Sequence, residues 1–383
     1  MVRDAELLDA LRDSVRRYVR ERLRPLEAQV AESDCIPEVV VDEMRALGLF
    51  GLTIPEAYGG LGLTTEEEVL IAMDLGHASP CFRSLIGTNN GIGALGLVLD
   101  GREEQRQRYL PPMARGELIA SFALTEPEAG SDAASLRSTA RRTASGWVLR
   151  GSKRFITNAP RAGLFTVFAR ARDEAGVELG ISAFLVERGT PGLSVGQPEK
   201  KMGQAGSQVS DLQFDDCPLA PQALLGTACG AGMKTALKTL DRGRIHIAAV
   251  CVGLAERMLD DALRYAAERR QFGAPIASFQ LVQAMMADSQ TEIFAGRSMV
   301  LAAARQRDEG RMVALEAACA KLFCSEMAGR VADRCVQIHG GAGYMADHAI
   351  ERCYRDVRLF RIYEGTSQIQ QLVIARQLLK TLA

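Results

Sequence analysis

Glu364 lies in the run Ile362-Tyr363-Glu364-Gly365-Thr366-Ser367-Gln368-Ile369-Gln370, between an aromatic ring and a glycine. A carboxylate shielded on one side by apolar groups has its charged form disfavoured, so its pKa rises and it can accept a proton near neutral pH. Gly365 removes side-chain bulk and lets a ligand approach the backbone, while hydroxyl and amide groups follow at Thr366, Ser367 and Gln368. The chemistry on offer is proton abstraction. The same run also reads as a helix start, with Thr366 as N-cap before Ile369, Leu372, Val373 and Ile374.

Further stretches combine ligand-binding residue types. In the run from Phe122 to Asp132, a strand ends at Leu124 and Thr125, and Gly130-Ser131-Asp132 turns after Pro127. Strand-end amides and small hydroxyls suit the edge of a planar heterocycle, or simply make a loop. Phe155-Ile156-Thr157-Asn158 is expected after a β-turn at Gly151, where an aromatic beside a hydroxyl can cover a ring system or fill a core. Arg269-Arg270-Gln271-Phe272-Gly273 offers guanidinium forks that suit phosphate, or that complement a helix C-terminus. In Gln337-Ile338-His339-Gly340-Gly341-Ala342-Gly343-Tyr344 the glycines allow backbone amides to reach a ligand. Asp241, in Leu240-Asp241-Arg242-Gly243-Arg244, reads as a cap for a helix opening at Arg244. His246, His339 and His348 are assigned no role, and Trp147 is read as a packing residue.

The elements that must position these groups change period twice. Residues 5–22 place Leu7, Leu8, Leu11, Val15, Tyr18 and Val19 at helical spacing, and helical patterning recurs at 36–47, 66–78 and 83–115. From Ile119 short runs rich in branched and aromatic residues alternate with Gly, Pro, Asp and Ser, which predicts a small antiparallel β domain. Helical spacing returns over 232–270, 278–308, 313–338 and 366–381, as expected of a four-helix bundle. The expected fold is therefore α+β multidomain: an N-terminal helical domain (1–118), a middle antiparallel β domain (119–229) and a C-terminal four-helix bundle (230–383).

Bulk properties narrow the classes. A formal net charge of −1 gives no electrostatic reason for nucleic acid or an anionic membrane as partner. Nine dispersed cysteines read as reduced thiols in a cytoplasmic protein, and no Cys/His spacing resembles a zinc site. Asp4, Glu6, Asp9 and Asp13 make the first residues too acidic for a targeting peptide, and no apolar run approaches a membrane span. No G-x-G-x-x-G follows a strand, so a Rossmann dinucleotide site is not implied.

Taken in order, the motifs closely resemble those of the acyl-CoA dehydrogenase family of flavoproteins, and the resemblance spans essentially the whole chain. It implies FAD as cofactor, Glu364 as the catalytic base, and α,β-dehydrogenation of an acyl-CoA to a trans-2-enoyl-CoA, the chemistry of fatty-acid β-oxidation. In the family the glutamate takes the α-proton while the β-hydride passes to flavin N5. The thioester oxygen is held by that glutamate's backbone N–H and a ribityl hydroxyl. The resemblance places Leu124, Thr125, Gly130, Ser131, Phe155, Ile156, Thr157, Thr366, Ser367 and Gln368 against FAD. Arg269, Phe272, Gln280, Gln337, Gly340 and Gly341 are implied to reach the adenosine-diphosphate half of an FAD held by a neighbouring subunit. Ser131, Asp241, Arg244, Tyr363 and Gly365 are implied at the substrate. Many relatives carry Trp where this chain has Phe155, which keeps an apolar wall and loses an N–H donor. Some members carry the base at the position of Gly243, so no second base competes here.

The implied assembly is a homotetramer, a dimer of dimers, that passes electrons to an electron-transferring flavoprotein. An oxidase or flavin monooxygenase using oxygen on the same fold is the alternative, and an acyl-carrier-protein thioester is a second possible substrate form. Small residues at Gly93, Ala94 and Gly96 suggest room for a medium or branched acyl chain, or else close helix packing.

Overall fold

A computed structural model describes residues 2–380 and residue 382; Thr381, at the end of the helix expected over 366–381, lies outside the described residues. Asp4 caps α1 (Ala5–Tyr18) by accepting from the Leu7 amide, and a π-turn at Val19–Leu23 joins it to α2 (Arg24–Ser33). Of the stripe expected from the spacing, Leu8, Val15, Tyr18 and Val19 are buried, Leu11 is half-buried and Leu7 is exposed; Leu23 extends the buried face. The buried residues pack with α3 (Glu38–Ala46), α4 (Thr65–Gly76) and α5 (Pro80–Thr88) into the N-terminal core. A reciprocal Thr64–Glu67 capping box starts α4.

The helix expected over 83–115 is interrupted. After α5 the chain makes a π-turn at Asn89–Gly93, then α6 (Leu95–Asp100) and α7 (Glu103–Ala114). Asn89 binds other segments: its Nδ2 donates to the Phe50 and Met113 carbonyls, and its Oδ1 accepts from the Ala120 amide. Those bonds fasten the π-turn to the first strand of the β domain.

That domain holds β1 (Ala120–Ala123), β2 (Thr139–Thr143), β3 (Gly146–Thr157), β4 (Leu164–Arg172), β5 (Glu178–Glu187), β6 (Leu193–Val195) and β7 (Val209–Leu219). The sheet runs β1-β4-β2-β3-β7-β6, with β5 on the other edge of β4. Four ladders are antiparallel as expected, but β4 pairs parallel with both β1 and β2. β2 was not visible in the pattern because Thr-Ala-Arg-Arg-Thr carries one buried residue, Ala140. No turn forms at Gly151. β3 runs through it, and register shifts at Leu149/Gly151 and Lys153/Ile156 absorb the irregularity.

The C-terminal domain opens on α8 (Gly232–Glu268), 37 residues and about 55 Å long. It starts well before Arg244, so Asp241 is inside the helix and caps nothing. From Arg244 to Ala255 every residue is buried, which makes α8 the central rod. A short hairpin follows, β8 (Arg270–Gln271) and β9 (Ala274–Pro275), then α9 (Gln280–Asp308), α10 (Ala314–His339), α11 (Ala349–Val357) and α12 (Ser367–Lys380). The fold is thus a helical domain, a β domain and a second helical domain, as expected. Close approach fixes α4 on α8: a methyl group on Gly253 would sit 2.0 Å from the Met73 carbonyl oxygen. Among the described residues all nine cysteines are free, no helix is long and apolar enough to cross a membrane, and no cluster of His, Cys, Asp and Glu suits a metal.

Candidate active site

Glu364 sits on the connection between α11 and α12. Its own φ is 54° and that of Gly365 is 88°, so the chain reverses there through left-handed backbone, which a β-branched residue at 365 would not tolerate. Thr366 does cap α12, its Oγ1 accepting from the Ile369 amide at 3.2 Å. Lys321 on α10 donates to the Gly365 carbonyl at 2.7 Å, and Gln370 donates to the Glu364 and Gly365 carbonyls at 3.0 Å each. With its carbonyls tied back, the loop sends the carboxylate into a cleft between the three domains. That cleft is lined by Glu68, Arg83, Thr157, Arg242, His246 and Tyr363 among others.

The Glu364 Oε2 atom is buried and has no hydrogen-bond partner, as is the Tyr363 hydroxyl. Burial pushes the Glu364 carboxyl above its ordinary range, while Arg83, Arg244 and Lys321 pull the other way. Across from it α8 presents Gly243, where an added methyl would lie 2.8 Å from Oε2. Arg244 pairs with Asp241 at 2.7 Å, one turn earlier on the helix. These two therefore form a mutually balanced pair beside the base.

Sequence reasoning missed a buried polar cluster on the same wall. Arg242 pairs with Glu68 at 2.7 Å, His246 Nδ1 lies 2.9 Å from the other Glu68 oxygen, and Arg83 Nε donates to His246 Nε2 at 2.6 Å. An arginine has no acceptor, so His246 must accept at Nε2 and carry its proton on Nδ1, which then donates to Glu68. Burial and Arg83 hold His246 below its usual pKa, consistent with that neutral tautomer. Arg242 and His246 keep Glu68 ionised, its carboxyl lowered to about 2 despite burial. The signal was available: Glu68 and the pair Arg242/His246 fall on helix faces that are otherwise apolar.

Of the residues expected at a cofactor, Thr157 lines the cleft; two positions before it on β3, Phe155 is 55% exposed at φ 57° in the strand's irregularity. Gly130 and Ser131 are exposed on the loop after β1, and a methyl on Gly130 would meet nothing within 4 Å. The side chains of Leu124 and Ile156 face the interior, so only their backbones are free for a ligand. The Leu124 and Thr125 carbonyls are already taken by Lys153 Nζ and the Arg154 amide. Glu126, unassigned from sequence, pins this loop: it pairs with buried Lys153 at 2.7 Å and accepts from the Arg137 and Ser138 amides. Ser367 is buried and donates to Glu326 at 2.6 Å, while Gln368 is exposed.

A second group does not reach the cleft. Arg269, Phe272, Gln280, Gln337, Gly340 and Gly341 are all exposed: Arg269 and Phe272 just past the end of α8, Gln280 at the start of α9, and Gln337, Gly340 and Gly341 at the end of α10. These two helix ends adjoin, since His339 stacks on Tyr265 with ring centroids 4.4 Å apart. Arg269 lies 25 residues along α8 from Arg244, about 38 Å away. Phe272 is 95% exposed at the hairpin tip, and Leu281 is exposed in the first turn of α9 that follows.

Comparison with known proteins agrees with this architecture. The acyl-CoA dehydrogenase N-terminal, middle and C-terminal domains match residues 6–117, 121–217 and 230–379. The acryloyl-CoA reductase (NADH) of Anaerotignum propionicum is 39% identical, over 99% of this chain and 95% of that protein. The structure of butyryl-CoA dehydrogenase from Megasphaera elsdenii matches at TM-score 0.94 and 34% identity, covering 99% of this chain and 100% of that one. An acyl-CoA dehydrogenase from Bacillus anthracis complexed with FAD matches at TM-score 0.93 and 33% identity, covering 99% and 68%. The chain belongs to the acyl-CoA dehydrogenase family. It is a flavoprotein oxidoreductase of that family.

The small residues of the π-turn segment need correction. Gly93, Ala94 and Gly96 do not line the cleft; Gly91, Ile92 and Leu95 do. A methyl on Gly93 would lie 2.9 Å from the Thr88 carbonyl oxygen, so its smallness serves packing and gives no added room for the acyl chain.

Proposed function

We propose that this protein is an FAD-dependent acyl-CoA dehydrogenase in which Glu364 removes the α-proton of an acyl-CoA thioester. One observation carries the reading: a buried carboxylate oxygen without a hydrogen-bond partner, facing bare backbone at Gly243 across a cleft. An unpaired buried carboxylate oxygen is costly, and it suits a group that takes up a proton. Burial raises the Glu364 pKa, and Arg83, Arg244 and Lys321 oppose that rise. Once it has the proton, Glu364 is a neutral acid and the electron pair remains at the α-carbon.

The residues present fit an FAD. Phe155 offers an exposed ring at a strained backbone position beside Thr157, and Gly130 leaves open space in front of the loop backbone. Leu124, Thr125 and Ile156 through backbone, with Gly130, Ser131, Phe155 and Thr157, would hold it on one chain, near Thr366 and Gln368. When bound, the flavin supplies the acceptor for the β-hydride, so that the remaining pair closes the α,β double bond. Arg269, Phe272, Gln280, Gln337, Gly340 and Gly341 lie too far along α8 to touch the same cofactor, so they serve the FAD of a second copy. The exposed apolar residues around Phe272 support that copy as partner, in a homo-oligomer. An electron-transferring flavoprotein is the proposed electron acceptor.

A second reading runs the reaction in reverse, reducing an enoyl thioester; the 39% identity to an acryloyl-CoA reductase favours it. One anaerobic experiment addresses both. Acyl-CoAs added to the yellow holoenzyme bleach its absorbance, and Glu364→Gln retains FAD but loses about 10²–10⁴-fold in the bleaching rate. A holoenzyme bleached by no acyl-CoA, yet reoxidised by an enoyl-CoA after chemical reduction, moves the assignment to the reductase. Failure of both sinks the proposal.

A further inference from the structure

The cleft wall built by α5 carries more positive charge than a fatty acyl chain needs. Arg83 is 7% exposed and lines the cleft together with Ser84, Gly87 and Thr88 from the same helix. Its guanidinium folds back over Gly87, where an added methyl would lie 2.8 Å from Nε and 3.2 Å from Nη2. Its one hydrogen bond runs from Nε to His246, and among the described residues the nearby carboxylates Glu68 and Asp241 pair with Arg242 and Arg244 instead. The two terminal amino groups, the fork that binds carboxylates, are left over.

The surrounding charges do not make up for this. Glu68 is satisfied by Arg242 and His246, and His246 is neutral. Asp241 is engaged by Arg244. Glu364 is the carboxylate that shares the cleft lining with Arg83 and is not already paired within the chain. Glu364 becomes neutral when it takes the α-proton. An alkyl chain filling the cleft would then strand a desolvated guanidinium with no counter-charge, which is strongly unfavourable. A carboxylate on the substrate would cancel the charge and match the fork with two hydrogen bonds. Ser84 Oγ accepts from Ser207 Oγ at 2.8 Å, leaving its own proton free for the same anion.

We infer that the acyl group taken by this cleft ends in a carboxylate: the substrate is the mono-CoA thioester of a short dicarboxylic acid, with Arg83 as receptor for the distal carboxylate. This rests on the acyl-CoA reading of the site given above and narrows its substrate class. Arg83 is then a specificity residue that touches substrate, and its pull on the Glu364 carboxyl bears equally on both substrate classes.

The test compares thioesters matched in carbon number: glutaryl-CoA against pentanoyl-CoA, and adipyl-CoA against hexanoyl-CoA, with the holoenzyme. At least one dicarboxylyl member is expected to exceed its match by tenfold or more in kcat/KM. Arg83→Met should remove that advantage and leave the fatty acyl-CoA the better substrate. Calorimetric titration of the same pairs into Glu364→Gln holoenzyme gives a readout independent of turnover, and there too the dicarboxylyl thioester should bind at least tenfold tighter. Bleaching by the fatty acyl members with equal or better efficiency overturns the inference and leaves Glu364 as base untouched. So does an Arg83→Met variant that slows both classes equally, since Arg83 would then act only on the base. If Arg83→Met does not fold, the wild-type pairs and the Glu364→Gln titrations decide alone. A flavin that responds to none of the four overturns this inference and the reading beneath it together.

Discussion

The two ends of α8 are finished to different degrees. Around Gly243 the helix meets α4, α5, α10 and the Glu364 loop; Glu68, Arg242 and His246 satisfy one another there, while Glu364 Oε2 and the Tyr363 hydroxyl are left without partners. Around Arg269 the same helix ends in a hairpin whose Phe272 is 95% exposed, followed by exposed Leu281 at the start of α9. One end is a cluster of charges buried within the chain, with the carboxylate oxygen of Glu364 left open to the cleft. The other is an exposed apolar hairpin tip. On the function proposed above, the first end handles the proton within one chain and the second serves the cofactor of a neighbour.

Several substitutions would break or sharpen this contrast. The largest effect is expected from Glu68→Gln, which removes the anion between Arg242 and His246. Breaking such a buried cluster costs about 3–5 kcal/mol, read as a fall in Tm with the far end of α8 unaffected. Because the folded Glu68 carboxyl is held at about 2, its contribution is fully present above the ordinary carboxylate range and is lost as pH falls toward 2. The acid limb of the stability curve should therefore flatten in the variant, and an unchanged limb would contradict the assignment.

Gly243→Ala comes next. The methyl would push on Oε2 and misplace the base, so kcat is expected to drop about 10²-fold while Tm moves little. Phe272→Asp addresses the other end: we expect association of the chains to weaken about tenfold or more and FAD to be retained less well. The folded monomer should keep its thermal stability, measured by sedimentation and differential scanning calorimetry. The smallest effect is a displacement. The rising limb of kcat/KM with pH should sit above the ordinary carboxylate range, and Lys321→Met should move it further up, since a cation that favours ionised Glu364 is gone. A downward move would show that Lys321 acts only through its bond to the Gly365 carbonyl.

Sequence made the cleft's base legible and left its wall hidden. Glu364 stands in a local run whose aromatic and glycine neighbours already describe its environment. Arg83, Glu68, Arg242 and His246 come from three helices, and nothing local connects them. His246 was assigned no role because a histidine on an apolar helix is usually packing, and only Arg83 at 2.6 Å shows otherwise. Asp241 reads as a cap for a helix opening at Arg244, whereas α8 runs unbroken from Gly232 through Gly243. The three-domain order followed from periodicity. The parallel pairing of β4 with β1 and β2 did not, since long-range register leaves no trace in the alternation of a four- or five-residue strand.

α8 also acts as a ruler. Its buried middle is assembled from interchangeable aliphatic residues, so many exchanges of Val, Ile, Ala and Leu between Ile247 and Leu254 should be absorbed by repacking. Losing or gaining one residue there is another matter. It would shift everything beyond by about 1.5 Å and turn it by about 100°, carrying the hairpin and Arg269 off the face they now occupy. The length of this helix is therefore held more tightly than its spelling, and a family of such chains should vary in letters along α8 while keeping the same count.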